Sequence, residues 1–332
     1  MSTKTNVLSA LESRRGDYVS GQELAETLNR SRTAVWKAVK TLREDGHGIV
    51  AVTNRGYSLL SGSDLLSEEG LRAALPERYK NCPITVLRVT DSTNTQTKKC
   101  AVDGAPHGTL LLAEEQTAGR GRYGKTFFSP YGAGLYMSLL LKPAVRDADL
   151  QMITVAAANA VCTAIEKLTQ LEPKIKWVND IYLDGKKICG ILTEAVTDFE
   201  TGSVESIIVG VGVDCAIDQS TLPEELRGIV GSIGKERISR NQLAAEIASG
   251  ILDSFHDLSD RAIIDLYRKK SMMIDREIYF MRGGQRFQAR VTGISDSGAL
   301  LVRLPSGEET ALTSGEVSIG SLSENMDGGP AG

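Results

Sequence analysis

The sequence predicts an α+β protein of several domains: an N-terminal winged helix-turn-helix, a central mixed α/β domain and a C-terminal SH3-like β-barrel. Three observations predict it. The first sixty residues hold two capped amphipathic helices followed by a hairpin. The middle holds continuous apolar runs of buried-strand type, TLLLA (Thr109–Ala113) and LYMSLLL (Leu135–Leu141). Near the end, IYFMRGGQRFQARVTGISDSGALLVRLPSGEETALTSGEVSIG reads as short strands with glycine turns at regular spacing. A chain of 332 residues is long enough for two or three domains, each with its own core.

Composition narrows the class. Hydrophobic residues make up 41% and charged residues 24%, as in ordinary soluble proteins. No apolar run approaches the ~18 residues that span a bilayer, and MSTKTNVLSALESRRGD lacks the apolar core of a secretory signal. No membrane partner is expected. Cys82, Cys100, Cys162, Cys189 and Cys215 are odd in number and far apart, so they are expected to be buried or half-buried thiols of a cytoplasmic protein. His47, His107 and His256 form no metal constellation, and the metal ligands stay unassigned. Net charge is −4, yet residues 1–60 carry nine Lys/Arg against six Asp/Glu, a local +3 that leaves −7 for the rest.

Within that basic segment, Ser20 and Glu23 form a capping box for a short helix with Leu24, Ala25 and Leu28 on one face. Asn29 and Arg30 break it. Ser31 caps a second helix with Ala34, Val35, Ala38, Val39 and Leu42 on its apolar face. Its other face presents Arg32, Thr33, Trp36, Lys37, Lys40 and Arg43. Two helices joined by so short a turn read as helix-turn-helix. Ile49–Val52 and Tyr57–Leu60, flanking Thr53-Asn54-Arg55-Gly56, add a wing with a cationic tip. Arg32, Thr33 and Trp36 lie where a recognition helix meets base edges, and Lys37, Lys40 and Arg55 are placed for phosphates. A helical protein-interaction domain with a solvated basic face would share some of these features. Cap, turn and wing together favour operator DNA. The polar SGSDLLSEEG (Ser61–Gly70) then reads as a linker crossed by few core contacts, and SENMDGGPAG (Ser323–Gly332) as a disordered tail.

GRGRYGKT (Gly119–Thr126) fits the phosphate-loop pattern G-x-x-x-x-G-K-[ST]. A phosphate loop must open a helix, whose N-terminus supplies part of the phosphate field. Here FFSPYGAG follows, with one proline and two glycines, and then a strand. The P-loop is rejected. What remains is a glycine-rich loop carrying Arg120, Arg122 and Lys125, suited either to fold over a phosphate-bearing ligand or to be a mobile surface loop.

Two further stretches favour the ligand. KIKWVNDIYLDGKKICGILTE (Lys174–Glu194) gives a strand at Ile175–Trp177, a turn at Val178-Asn179-Asp180, a strand at Ile181–Leu183, an Asp184-Gly185 hairpin turn and a strand at Ile188–Thr193. Lys187 and Ile191 are an even number apart and should share a face. TDSTNTQ (Thr90–Gln96) ends the strand Ile84–Val89, leaving Ser92, Thr93 and Asn94 free for a polar ligand or for capping the next helix.

On these motifs the chain resembles the bifunctional biotin protein ligases that also repress the biotin operon. Gly119-Arg120-Gly121-Arg122 matches the family's adenylate loop, Lys176-Trp177-Val178-Asn179-Asp180 its lysine-tryptophan-x-asparagine-aspartate motif, and Ser92-Thr93-Asn94 its Ser-Thr-Asn motif. Gln116, FSPYGAGLYMS and GVGVD (Gly210–Asp214) also fit, and the resemblance runs from about Ser20 to Ile319. Tyr123 and Lys125 stand where members often have arginine, Val178 where proline is usual, and Asp214 where asparagine is common.

The resemblance implies a biotin/lipoate-ligase catalytic domain at 67–270 between a DNA-binding domain at 1–62 and an SH3-like domain at 271–322, with a tail at 323–332. It implies that biotin and ATP, with Mg²⁺, give biotinyl-5′-AMP, and that a biotin carboxyl carrier domain of a carboxylase then receives the biotin. Lys187, Arg120, Arg122 and Asp180 would be catalytic; Ser92, Thr93, Asn94, Gln116, Gly121 and Asn179 would join them in binding biotin and the adenylate. A homodimer on paired half-sites is implied as well. A biotin-sensing repressor without transferase activity and a lipoate ligase are the alternatives, and the DNA module and the GRGR loop favour biotin.

Overall fold

The structure is a computed structural model that describes residues 2–143, 149–197, 202–234 and 238–320. The tail expected to be disordered lies outside the described residues.

The chain opens with helix α1 (Thr3–Glu12), N-capped by Ser2, whose side chain accepts from the Thr5 backbone N–H. It precedes the cap signals read from the sequence. Its stripe is short, Val7, Leu8 and Leu11, all buried. Helices α2 (Gly21–Thr27) and α3 (Arg32–Glu44) follow, with Ser20 and Ser31 capping as expected. Strands β1 (Ile49–Val52) and β2 (Gly56–Leu59) pair antiparallel to form the wing. Val35, Ala38, Val39 and Leu42 of α3 meet α1 and α2 in a core of their own, which is why so small a unit holds together.

The expected linker is only partly free. Its second half is built into the central domain: Leu66 is buried, Asp64 pairs with Arg240, and Ser67 caps α4 (Glu68–Ala74), inside which Gly70 lies. α1 also packs against α4, so contacts do cross this boundary.

The central domain runs β3 (Ile84–Leu87), α5 (Thr93–Val102), β4 (Leu110–Ala113), β5 (Gly134–Leu141), α6 (Leu150–Thr169), β6 (Lys174–Lys176), β7 (Asp180–Leu183), β8 (Lys186–Thr197), β9 (Val204–Asp214), α7 (Arg240–Phe255) and α8 (Arg261–Lys270). Seven strands form one sheet in the order β3-β4-β5-β9-β8-β7-β6, parallel only between β3 and β4. Side chains alternate across a strand. Leu135, Met137, Leu139 and Leu141 of β5 and Val209, Val211 and Val213 of β9 therefore enter the main core beneath α6 and α7. Helix α6 is apolar and long enough to cross a bilayer by composition, but 72% of its most apolar stretch is buried inside the protein. It is the core helix of this sheet. The opposite sheet face begins as a small core of Leu140, Ile208, Val196 and Ala101 of α5. Further along, that face turns polar and glycine-rich, and there a cavity opens.

The C-terminal strands β10 (Glu277–Arg282), β11 (Gln285–Ile294), β12 (Leu300–Arg303), β13 (Glu309–Leu312) and β14 (Val317–Ile319) form an antiparallel sheet ordered β13-β12-β11-β10-β14. Among the described residues β13 and β14 are its two edges and do not pair, so the sheet is open where a closed barrel was expected. Trp177 fastens it to the central domain, its indole N–H donating to the Gly298 carbonyl at 2.9 Å. The Trp177–Val178 peptide is cis.

Candidate functional site

The cavity, about 290 Å³, lies between β8, β9, the 119–126 loop, the 217–230 segment and residues 315–318 of the C-terminal sheet. Its floor exists because Gly210 and Gly212 recur every second residue of β9 and Gly190 faces Gly212 from β8. A Cβ at Gly212 would lie 2.5 Å from the Phe127 ring, and one at Gly210 would lie 2.2 Å from Asn94 Oδ1.

One end is a hydrogen-bonded cluster. Gln116 Oε1 accepts from the Thr93 backbone N–H at 2.8 Å and from Thr93 Oγ1 at 3.1 Å, while Gln116 Nε2 donates to Ser129 Oγ at 2.9 Å. Ser138 Oγ lies 2.8 Å from Thr93 Oγ1 and 2.6 Å from Asn94 Oδ1, and Asn94 Nδ2 donates to Glu194 Oε2 at 2.8 Å. Thr93 and Asn94 line the cavity with their polar atoms already engaged by the protein. Ser92 stands at the N-cap of α5, yet its side chain makes no cap bond, so the usual structural use of this residue type does not apply. The Ser92 hydroxyl and one Gln116 N–H are what remain for a ligand.

The glycine-rich loop lies closed over the cavity. Arg122 Nη1 donates to Asn179 Oδ1 at 3.1 Å, and Asn179 Nδ2 donates in turn to the Ile191 carbonyl at 3.0 Å. Arg120 Nη2 is 3.2 Å from Glu194 Oε1. Tyr123, at φ 54°, stacks under the Arg122 guanidinium and accepts from the Gly315 N–H at 3.0 Å. Lys125 Nζ sits 2.7 Å from Glu316 Oε1. The loop's charges stay partly solvated, with the Arg120 and Lys125 side chains 51% and 59% exposed, but each has a partner in the protein.

At the charged centre Lys187 Nζ lies 2.7 Å from Asp180 Oδ1. Lys176 also lines the cavity, and burial lowers its pKa. The even-number argument for Lys187 and Ile191 fails locally. The ladder between β7 and β8 slips at Ile181/Tyr182. Both residues line the cavity, but a Cβ at Gly190 would lie 3.6 Å from Lys187 Cε, whereas Ile191 packs mainly into the main core. The bulge therefore turns Lys187 toward the cavity floor.

Residues 86–214 match the biotin/lipoate A/B protein ligase family, residues 3–58 an HTH domain, and residues 273–320 the biotin protein ligase C-terminal domain. A bifunctional ligase/repressor BirA of Bacillus spizizenii is 32% identical over 297 residues, 88% of this chain and 91% of that protein. The chain belongs to this bifunctional ligase/repressor family. The Escherichia coli BirA is 30% identical over 298 residues, 86% of this chain and 88% of that one. A biotin protein ligase from Aquifex aeolicus, solved in complex with biotin and ATP, superposes with a TM-score of 0.62 at 25% identity, covering 71% of this chain and 98% of that chain.

In this ligase/repressor the sequence-derived residues Ser92, Thr93, Asn94, Gln116, Arg120, Gly121, Arg122, Asn179, Asp180 and Lys187 all line one cavity. Sequence reasoning missed four others. Glu194 holds Arg120 and Asn94, Glu316 holds Lys125, Lys176 adds a cation to Arg120, Arg122, Lys125 and Lys187, and Phe127 lies over the glycine floor. The pairing of the KW-ND motif with the loop was the available signal for Lys176; the acids are brought in from distant strands. In the N-terminal unit, Arg32, Thr33, Lys37, Lys40 and Arg55 are exposed and Trp36 is 53% exposed. Lys40 lies 3.8 Å from Glu44, and the Arg55 guanidinium stacks on Tyr18 at 4.0 Å.

Proposed function

We propose that this protein couples biotin to ATP, forming biotinyl-5′-AMP and pyrophosphate, and passes the biotin to a lysine of a biotin carboxyl carrier domain. With the adenylate bound it represses transcription of biotin genes as a homodimer. The single observation that carries the reading is the convergence of the closed Arg120/Arg122 loop and Lys187 over one cavity in a chain of this family.

In the first half-reaction a biotin carboxylate oxygen attacks the α-phosphorus of ATP, supplied as its magnesium complex, and the bond to pyrophosphate breaks. No group of three or more His, Cys, Asp and Glu side chains converges among the described residues, so the metal is assigned to the substrate. Lys187, a point charge near both carboxylate and phosphate, offsets the charge that builds on phosphate oxygens. Arg120 and Arg122 hold the loop shut, which excludes water from a hydrolysable mixed anhydride. Ser92 and Gln116 hydrogen-bond the ureido ring. In the second half-reaction the acceptor amine attacks the anhydride carbonyl and AMP leaves, with Asp180 set to hold the incoming amine. Positioning and charge neutralisation suffice, and no enzyme nucleophile is needed.

The proposed DNA contacts are Arg32, Thr33 and Trp36 to bases and Lys37, Lys40 and Arg55 to phosphates. The domains are taken as 1–62, 67–270 and 271–322, with an SH3-like fold for the last. The cytoplasm, where ATP and operator DNA meet, is the proposed location. Pyrophosphate release with biotin or with lipoate, followed by label transfer to an acceptor domain, tests the function. Release with lipoate alone makes it a lipoate ligase, and no release with either leaves a sensing repressor.

A further inference from the structure

Asp214 ends the glycine track of the cavity. On β9 it shares a face with Gly210 and Gly212, opposite the valines that enter the main core. It lines the cavity and is only 3% exposed, and its Oδ1 has no hydrogen-bond partner among the described residues. Ile217, Leu222, Leu226 and Ile229 form an apolar wall of the same cavity, and Ile233 N–H donates to the Asp214 carbonyl at 3.0 Å. An apolar wall beside an unsatisfied polar group suits a nucleobase with a polar edge.

We propose that a proton on Asp214 is a condition of ATP binding: the neutral carboxylic acid donates to one atom of the adenine edge and accepts from its neighbour. The inference rests on the ATP-dependent reading above. Adenine presents the N7 acceptor beside the N6 amino donor, whereas guanine presents two acceptors, N7 and O6. A carboxylic acid offers one donor and one acceptor and so fits adenine. A carboxylate offers acceptors only; it would oppose N7 and bury an unpaired charge against the base. Asparagine, common here in the family, presents a donor and an acceptor at every pH. Aspartate does so only while protonated.

The surroundings favour its neutral form. Lys187 on β8 is the cation that opposes this, and Asp180 of β7 already engages it. Tyr136 of β5 donates its hydroxyl to the Pro130 carbonyl, Cys189 and Cys215 are thiols held neutral by burial, and Arg240 beyond Tyr136 is paired with Glu114 and Asp64. Burial outweighs Lys187 and raises the Asp214 pKa well above the usual carboxylate range. A raised pKa means the neutral, binding form holds at lower pH and is lost as pH rises through it.

The test is KM for ATP and for biotin across about pH 6 to 9 in the full chain and in Asp214→Asn and Asp214→Leu variants. The expected wild-type KM for ATP climbs toward about tenfold per pH unit once Asp214 ionises, with KM for biotin steady. Asp214→Asn should be flat over the range and keep its preference for ATP over GTP. Asp214→Leu should raise KM for ATP at every pH. Parallel ATP profiles for wild type and Asp214→Asn overturn the inference while leaving the ligase intact. A wild-type protein that releases no pyrophosphate from biotin and ATP at any pH overturns the parent reading instead.

Discussion

Lys187 and Asp180 stand on adjacent strands with Nζ and Oδ1 2.7 Å apart, each partly exposed to the cavity. The bulge opposite Ile181/Tyr182 makes this meeting possible. The carboxylate fixes the ammonium where an incoming carboxylate and phosphate would share it. Replacing Lys187 with alanine should slow adenylation ~10²-fold or more, as removal of a preorganised electrostatic donor does elsewhere. Pyrophosphate release in a single turnover measures it. A folded Lys187→Ala protein that adenylates at the wild-type rate removes this residue from the site.

Arg122 is held by Asn179 Oδ1 and by the Tyr123 ring, so the loop has protein anchors of its own. Arg122→Gly removes both and adds backbone freedom at an already glycine-rich position. The adenylate should then escape, and lysines of bystander proteins in a mixture should become biotinylated. Labelling confined to the acceptor domain would show that Arg122 does not retain the intermediate.

Arg240 is 4% exposed, pairs with Asp64 at 2.9 Å and Glu114 at 2.7 Å, and donates to the Gly134 carbonyl at 3.0 Å. Arg240→Met keeps the side-chain bulk and leaves two partly or wholly buried carboxylates unpaired. Breaking such a pair costs about 3–5 kcal/mol. The denaturation midpoint should fall accordingly with an unchanged denaturant slope. A shift of under about 1 kcal/mol, the worth of an exposed pair, would mean the network is solvated in solution.

What was legible in the sequence was local. Ser20 and Ser31 cap helices because a short side chain three residues before an N–H suffices, and Asp184-Gly185 turns a hairpin because both residues adopt positive φ, 49° and 78°. The clustering of Ser92, Gln116, Arg122 and Lys187 was legible only through family motifs, since their strands meet by long-range pairing. The rest lay beyond local signals. Tyr123 finds Gly315, and Lys125 finds Glu316, across more than half of the chain. Lys187 reaches the cavity as expected, but a bulge takes it off the face of Ile191, and no spacing rule foretells a bulge. The barrel stayed open because closure depends on two edge strands meeting, which turn spacing does not encode. Asp214 read as a simple departure from asparagine until its burial and its unpartnered oxygen were visible.

Since Asp64, Leu65 and Leu66 dock on the central domain, a fragment beginning at Gly62 should keep adenylation and lose DNA binding. One beginning at Ser67 should be the less stable of the two, because it strips Arg240 of Asp64. In the full-length protein, biotin with ATP should tighten operator binding by favouring the dimer, a linkage that must also tighten adenylate binding on DNA. Lys37→Ala should weaken binding to all sequences and reduce the salt slope by about 1, the release of one phosphate's counterions. Lys40 already lies near Glu44, so its loss should matter less. Arg32→Ala or Trp36→Ala should instead change sequence preference, since both stand exposed in the first half of α3. Gel-shift titrations at two salt concentrations, with and without both ligands, separate these effects. Operator affinity that ignores biotin and ATP would refute the co-repressor role and leave the ligase chemistry untouched.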